Sequence, residues 1–447
     1  VAEQDGFHKQ ILEMKDKLNA VSPSFCLAKW TWLTLHLPKG AGHSCHLPNL
    51  RKIPLAEIQK DPAALHNPEY KKQFRKQMTE GVRPDECSYC WYNEDNAPKS
   101  FSERWVHSAS TYSAPYFAEI VNTPWNTNVY PRMLEVIFRT ACQFACSYCQ
   151  PEYSTKWADE IKKFGKYQDD YRGLPTDGFF GAKAENPYVD AFWKWWPEAA
   201  KRLTTFRISG GEPLIAPETY KVLDDLIEGE AKNFEFIINS NFCVPSATWT
   251  RFISKITQIL SEGKIPKFIL WGSIDSSGAQ AEYIRNGLDY ELLQARTREF
   301  LNATKNFNTG VSFTVTHNNL SLPGFDSLLL WIDELKNEFG RSRVTFYTHR
   351  VKSVEHQYLD ILPSHFAGYI DKSVKLMETL SFETWEVDLV RRLSARFGAG
   401  LNAQEVVRAK KKFYSFFTEH DRRRGTNFLK TFPEYEEFYY HCRDLIV

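Results

Sequence analysis

The residues whose spacing carries most chemistry are Cys142, Cys146 and Cys149, set in Arg139-Thr-Ala-Cys-Gln-Phe-Ala-Cys-Ser-Tyr-Cys149. Three thiolates at C-x3-C-x2-C on one short loop can hold three corners of a [4Fe-4S] cube, leaving the fourth iron open for chemistry. Zinc is the rival ligand, but it favours four donors in C-x2-C pairs, often with His. No His lies near this loop to complete a tetrahedron. Further along, Thr205-Phe-Arg-Ile-Ser209 reads as a short buried strand running into Gly210-Gly-Glu-Pro213. Two glycines there let the backbone turn sharply and approach a ligand closely.

A second thiol set precedes the first: Cys26, Cys45 and the pair Cys87-Ser-Tyr-Cys90. Four thiolates match the full ligation of a second, auxiliary [4Fe-4S] cluster. They equally match a structural zinc, with His43 or His46 able to replace a Cys. The segment from Cys26 to Cys45 reads as a hairpin that brings its two Cys together. Cys243 and Cys442 are isolated and read as small apolar side chains, with Cys243 retained as a candidate hydrogen-atom donor because it stands beside a strand end.

These residues need elements to hold them. Strands are expected over 133–138, 205–209, 234–239, 268–274, 310–316 and 344–348, separated by amphipathic segments such as 218–230 and 290–302. Such alternation argues for an α/β fold with a parallel sheet, whose ligands bind at the carboxyl ends of the strands. The Cys loop, Gly210 to Pro213, Asn239 to Asn241, Ser273, Asp275, Thr316 to Asn318, His349 and Arg350 all fall at or just past those ends.

The Cys142/Cys146/Cys149 loop followed by Gly210-Gly-Glu212 resembles the radical S-adenosylmethionine (SAM) superfamily. The resemblance implies a partial (β/α)6 TIM-type barrel over 131–350, a [4Fe-4S] cluster on the three thiols, and SAM bound to its open iron. It implies that Gly210, Gly211 and Glu212 hold the SAM amino group and that Tyr148 seats the adenine. Arg285 would meet the SAM carboxylate, for which a guanidinium fork is well shaped; the plainer reading of Arg285 is a surface ion pair. Asn239, Ser273 and Asp275 would add polar ligand contacts. The segment 1–130, with Arg83-Pro-Asp-Glu-Cys-Ser-Tyr-Cys-Trp91, resembles the auxiliary-cluster modules called twitch and SPASM domains. Residues 351–447 read as a helical extension.

The implied reaction is reductive cleavage of SAM to a 5′-deoxyadenosyl radical, which takes hydrogen from a C–H bond. The resemblance implies an electron donor such as flavodoxin or ferredoxin and, through the module, a peptide or protein substrate. A nucleotide or nucleic-acid substrate is the enzymatic alternative, and an iron-sulfur or zinc-stapled binding protein the non-catalytic one. Basic residues crowd 391–430, among them Arg396, Arg408, Lys412, Arg422, Arg423 and Arg424. They suit a polyanion or a solvated helix face. In the insert 151–201, with loop material around Asp177, the run Phe192-Trp-Lys-Trp-Trp196 is read as packing a helix onto the sheet. The 447 residues carry a net charge of +1, which by itself favours no polyanionic partner. No apolar run reaches a membrane span, and Val1-Ala-Glu-Gln-Asp5 lacks the features of a signal peptide. Thiols reserved for clusters suggest the reducing cytoplasm.

Overall fold

The computed structural model describes residues 2–446 except 97–100, 169, 176–177, 182–184, 395–396 and 398–399; side-chain descriptions begin at His8. Asp177 and Arg396 lie outside the described residues. The chain builds one nine-stranded sheet in the order β3-β2-β1-β4-β5-β6-β7-β8-β9. The strands are β1 (Trp32–His36), β2 (Ala41–His43), β3 (Arg51–Lys52), β4 (Met133–Ile137), β5 (Thr205–Ser209), β6 (Glu235–Ser240), β7 (Lys267–Ser273), β8 (Thr309–His317) and β9 (Val344–Arg350). From β4 to β9 each strand pairs in parallel with the next, as the alternation of strand and helix patterns leads one to expect. The N-terminal hairpin extends the same sheet: β1 pairs in parallel with β4, Thr34 opposite Glu135, and carries the antiparallel β2 and β3 outward.

Alternation along each strand separates two faces, because successive side chains point to opposite sides. One face carries Phe206, Phe236 and Phe268, in register on adjacent strands and fully buried. Phe206 and Phe236 stack at 5.4 Å, and Phe236 meets Phe268 at 5.5 Å. Helices cover this face: Phe252 and Phe300, from Ser246–Ser261 and Tyr290–Ala303, meet Phe268. Trp196, from the helix Pro187–Ala199, meets Phe206 at 4.6 Å. The aromatic run of the insert therefore packs a helix onto the sheet. Each such ring contributes about 1.5–3 kcal/mol by leaving water.

The opposite face carries Glu135, Arg207, Ile237, Asn239, Ile269, Trp271, Ser273 and Tyr347, which line two cavities rather than a packed core. The first, about 350 Å³, lies toward the carboxyl ends of the strands; the second, about 320 Å³, lies toward their amino ends. Helices follow β9, including Ala367–Thr379, Thr384–Ser394, Ala403–Arg424 and Glu436–Asp444. Phe413, Phe416 and Phe417 of the third sit in the same hydrophobic core as the sheet.

Candidate active site

The loop after β4 crosses the carboxyl ends of the strands, and nearly every turn of it is tied down. Backbone N–H groups of Ala145 and Ser147 donate to Asn286 O and Ile284 O at 2.8 and 2.7 Å. Its carbonyls are capped by long side chains from elsewhere. Trp157 Nε1 donates to Cys146 O (2.7 Å), Arg172 Nη1 to Ser147 O and Cys149 O (2.7 and 2.9 Å), and Arg424 Nη1 to Ala145 O (2.8 Å). Cys142, Cys146 and Cys149 all face the larger cavity. Burial holds the Cys146 thiol up at about 12 and raises Cys142 and Cys149 as well. Such thiols are poor nucleophiles when free and become thiolates when a metal takes the place of the proton.

The Gly210-Gly-Glu turn is zipped to that loop. Gly211 N donates to Arg139 O at 3.4 Å and Glu212 N to Ala141 O at 2.7 Å. Gly210 has φ +125°, and a Cβ on Gly211 would lie 2.2 Å from Ala141 O, so both positions require glycine. The Glu212 carboxylate, 2% exposed, accepts from Leu214 N (3.0 Å), Ser240 Oγ (3.0 Å) and Asn241 N (2.7 Å). It thus clamps the end of β6 as well as lining the cavity. Burial raises it to about 7 against those three donors. Just beyond, Phe242 has φ +64°, an uncommon strain for a bulky residue, held by Arg296 Nη1, which donates to Val244 O at 2.6 Å and to Phe242 O.

Tyr148, Asp275 and Arg285 form a third group. Asp275 is fully buried and accepts from Tyr148 OH (2.6 Å), Arg285 Nη2 (2.9 Å) and Thr316 N (2.8 Å). Burial lowers the Arg285 pKa, and Asp275 together with Tyr148 and Cys146 more than reverses this, so the guanidinium stays charged. Its Nη1 stands 4.0 Å from Cys146 Sγ. The plain reading of Arg285 as a surface ion pair is corrected: it is an ion pair, but only 7% exposed and on the cavity wall. Asn239 Oδ1 accepts from Arg207 Nε at 2.9 Å, and Ser273 completes the lining.

Sequence reasoning passed over Glu135, Arg207, Tyr153 and Arg172, and read Arg424 only as part of the basic segment. The first two carried a usable signal. Each is a charged residue inside an otherwise apolar strand, at the alternation that faces away from the helices.

Cys26, Cys45, Cys87 and Cys90 line a separate small cavity of about 20 Å³ with Lys29, Met78, Trp91, Arg104 and His107. His43 and His46 turn elsewhere, toward His36 and Glu135. Burial pushes Cys45 and Cys90 to about 12 and raises Cys26 and Cys87. Around the thiols the buried charge is lopsided. Lys29 pairs with Glu86 and Arg104 with Glu94, whereas Lys71 and Arg75, 4% and 0% exposed, are held by neutral groups, Arg75 by Lys29 O and Asn67 Oδ1, and burial lowers the pKa of both. Lys71 instead meets His66 Nδ1 and Trp32 O at 3.0 and 3.3 Å. Trp32 of β1 lies between the two cavities, edge-on to His107 (4.6 Å) and His46 (4.9 Å).

The basic segment does not present a polyanion surface at Arg423 and Arg424. Their side chains are 2% and 4% exposed and pair with Glu160, Arg423 also with Glu419; Arg422, at 60%, is the outward one and also pairs with Glu419. The expected solvated or polyanion-binding face is in this stretch an internal strut to the Cys loop.

No protein-family model and no curated protein matches the chain. Among solved structures it is similar to native anSMEcpe with bound AdoMet (TM-score 0.34, 13% identity, 55% of this chain and 60% of that one). It is similar to the same protein with AdoMet and the Cp18Cys peptide (0.34, 15%, 56% and 62%). A third is Streptococcus suis SuiB bound to precursor peptide SuiA (0.35, 14%, 74% and 66%). The chain thus spans less than two thirds of the length of each.

Proposed function

We propose that the chain is a radical SAM enzyme acting on a peptide or protein substrate, with Cys142, Cys146 and Cys149 holding a [4Fe-4S] cluster and the larger cavity receiving SAM. The observation that carries this reading is the zipping of the three-thiol loop to the Gly210-Gly-Glu turn at the carboxyl ends of parallel strands. A cavity of about 350 Å³ suits a small cofactor. The sheet then forms the wall of a partial barrel. When bound, cluster and SAM supply one-electron cleavage of the SAM C5′–S bond and removal of a hydrogen atom from a substrate C–H bond.

The chain's own residues bind and exclude water. Gly210 and Gly211 offer bare backbone to the SAM amino group, and Glu212 fixes that turn. Arg285, kept charged by Asp275, presents its Nη1 to the loop and to the SAM carboxylate. Tyr148, anchored through its hydroxyl, offers a ring for the adenine, and Asn239 and Ser273 offer polar atoms. Cys26, Cys45, Cys87 and Cys90 hold an auxiliary [4Fe-4S] cluster, with Lys29 and Arg104 lining the same cavity. The peptide substrate rests on the resemblance of that segment to twitch and SPASM modules. An electron donor such as flavodoxin or ferredoxin and a reducing compartment complete the reading; all nine cysteines are free.

Anaerobic reconstitution should load about eight iron per chain, two cubanes. Changing Cys142, Cys146 and Cys149 to Ala should halve the iron and abolish reductive SAM cleavage. Cleavage that survives this triple change refutes the reading. Cys87→Ala with Cys90→Ala should leave the first cluster and SAM cleavage intact while product formation stops. Zinc at one per chain with about four iron would make the second site a zinc staple instead.

A further inference from the structure

The wall formed by β4, β5 and the N-terminal hairpin has no part in holding SAM under the reading above. Glu135, 4% exposed, stands in the middle of β4 and lines the larger cavity. Its Oε1 accepts from Ser209 Oγ at 2.5 Å and lies 3.5 Å from Arg207 Nε. Its Oε2 is buried and has no hydrogen-bond partner among the described residues. His46 Nε2 stands 3.4 Å away but without the alignment of a bond. The hairpin adds two more buried atoms without partners, His36 Nδ1 and His43 Nδ1. The His36 ring lies 6.2 Å from that of Tyr153, another cavity residue. Buried polar atoms are almost always paired, so an unpartnered carboxylate oxygen on a residue that lines a cavity calls for a partner from outside.

We infer that Glu135 Oε2 anchors a neutral hydrogen-bond donor, a hydroxyl or a carboxamide N–H, on the substrate residue that enters this cavity. The inference rests on the proposed function, under which SAM occupies this cavity on the side of the Cys loop and the Gly210-Gly-Glu turn and the Glu135 wall is left to the substrate. A cation fits less well. Arg207 already neutralises Glu135, and the charges of Lys39 and Lys352 already reach the neighbouring imidazoles of His36 and His46.

The probes are N-acetylserinamide, N-acetylasparaginamide, N-acetyllysinamide and N-acetylalaninamide. Binding is followed by ligand-observed NMR on the full chain, metal-free and again reconstituted with SAM. The serine or asparagine probe should bind roughly tenfold more tightly than the alanine probe, the worth of one hydrogen bond to a charged acceptor. The lysine probe should gain nothing over alanine. Glu135→Gln should erase the preference, because Ser209 Oγ donates to one atom of the group, which the amide oxygen must therefore occupy, and this turns its NH2 toward the ligand. Glu135→Gln with Arg207→Met keeps the wall uncharged should the single variant misfold. Equal binding of all four probes, no binding of any, best binding of the lysine probe, or a preference that survives both variants would each overturn the inference. SAM cleavage measured without probe separates the two claims: its loss with the preference intact strikes only the proposed function, and the reverse strikes only the role of Glu135.

Discussion

Glu212 sits between opposing demands, burial disfavouring its charge and three donors favouring it, with burial prevailing. Below about pH 4.5 the carboxyl is protonated in both folded and unfolded chains. Between there and its folded value of about 7 the unfolded chain ionises first, so the stability present at low pH is lost as pH rises through about 7. The shift corresponds to about 3 kcal/mol. Thermal melting of metal-free protein from pH 5 to 8 should therefore show wild type declining relative to Glu212→Gln, and parallel curves would refute the assignment. Gly211 makes a sharper demand, since a methyl group there meets the Ala141 carbonyl rather than a movable side chain. Gly211→Ala should cost about 1–3 kcal/mol by overpacking and part the two loops. Calorimetry together with SAM binding would register both, and unchanged SAM affinity would contradict the close approach.

The helix Ala403–Arg424 reaches the Cys loop directly through its last turn, where Arg424 binds Glu160 and the Ala145 carbonyl. Removing one partner of a buried pair costs roughly 3–5 kcal/mol. Arg424→Ala should lower the melting temperature and the iron retained on the first site. Arg422→Ala, at an exposed position, should change stability by no more than about 0.5 kcal/mol. Equal effects from the two substitutions would mean that the helix does not brace the loop. Direction along this helix was hidden in the sequence. Three consecutive arginines occupy three different faces, and which faces turn inward depends on Glu160, which lies far away in the chain. The six parallel strands, by contrast, were readable from Phe206, Phe236, Phe268 and their apolar neighbours, because period-2 burial leaves its trace in composition. The convergence of the two Cys sets with their flanking turns was readable as spacing. That Glu135 and Arg207 stand side by side was not, because it depends on cross-strand register, which pairs them.

At the scale of the whole molecule the sheet runs without a break from the hairpin bearing the second thiol set to β9. A chain beginning at residue 131 would bare one edge of β4 along with the surface that Leu33 and Leu35 now bury. Exposed apolar edges template association, so we expect that fragment to aggregate on size-exclusion chromatography, whereas a monodisperse fragment would mean that the hairpin is dispensable. The β1–β4 pairing also has a temporal side. Its strands lie about a hundred residues apart in sequence, so at synthesis rates of 5–20 residues per second β1 emerges from the ribosome roughly 5–20 s before its partner. During that interval the hairpin has an open edge, and the four N-terminal thiols, all of which precede β4, have no sheet behind them. If those thiols hold the proposed auxiliary cluster, metal supply and oxygen exposure in those first seconds of synthesis would bear on the yield of loaded protein.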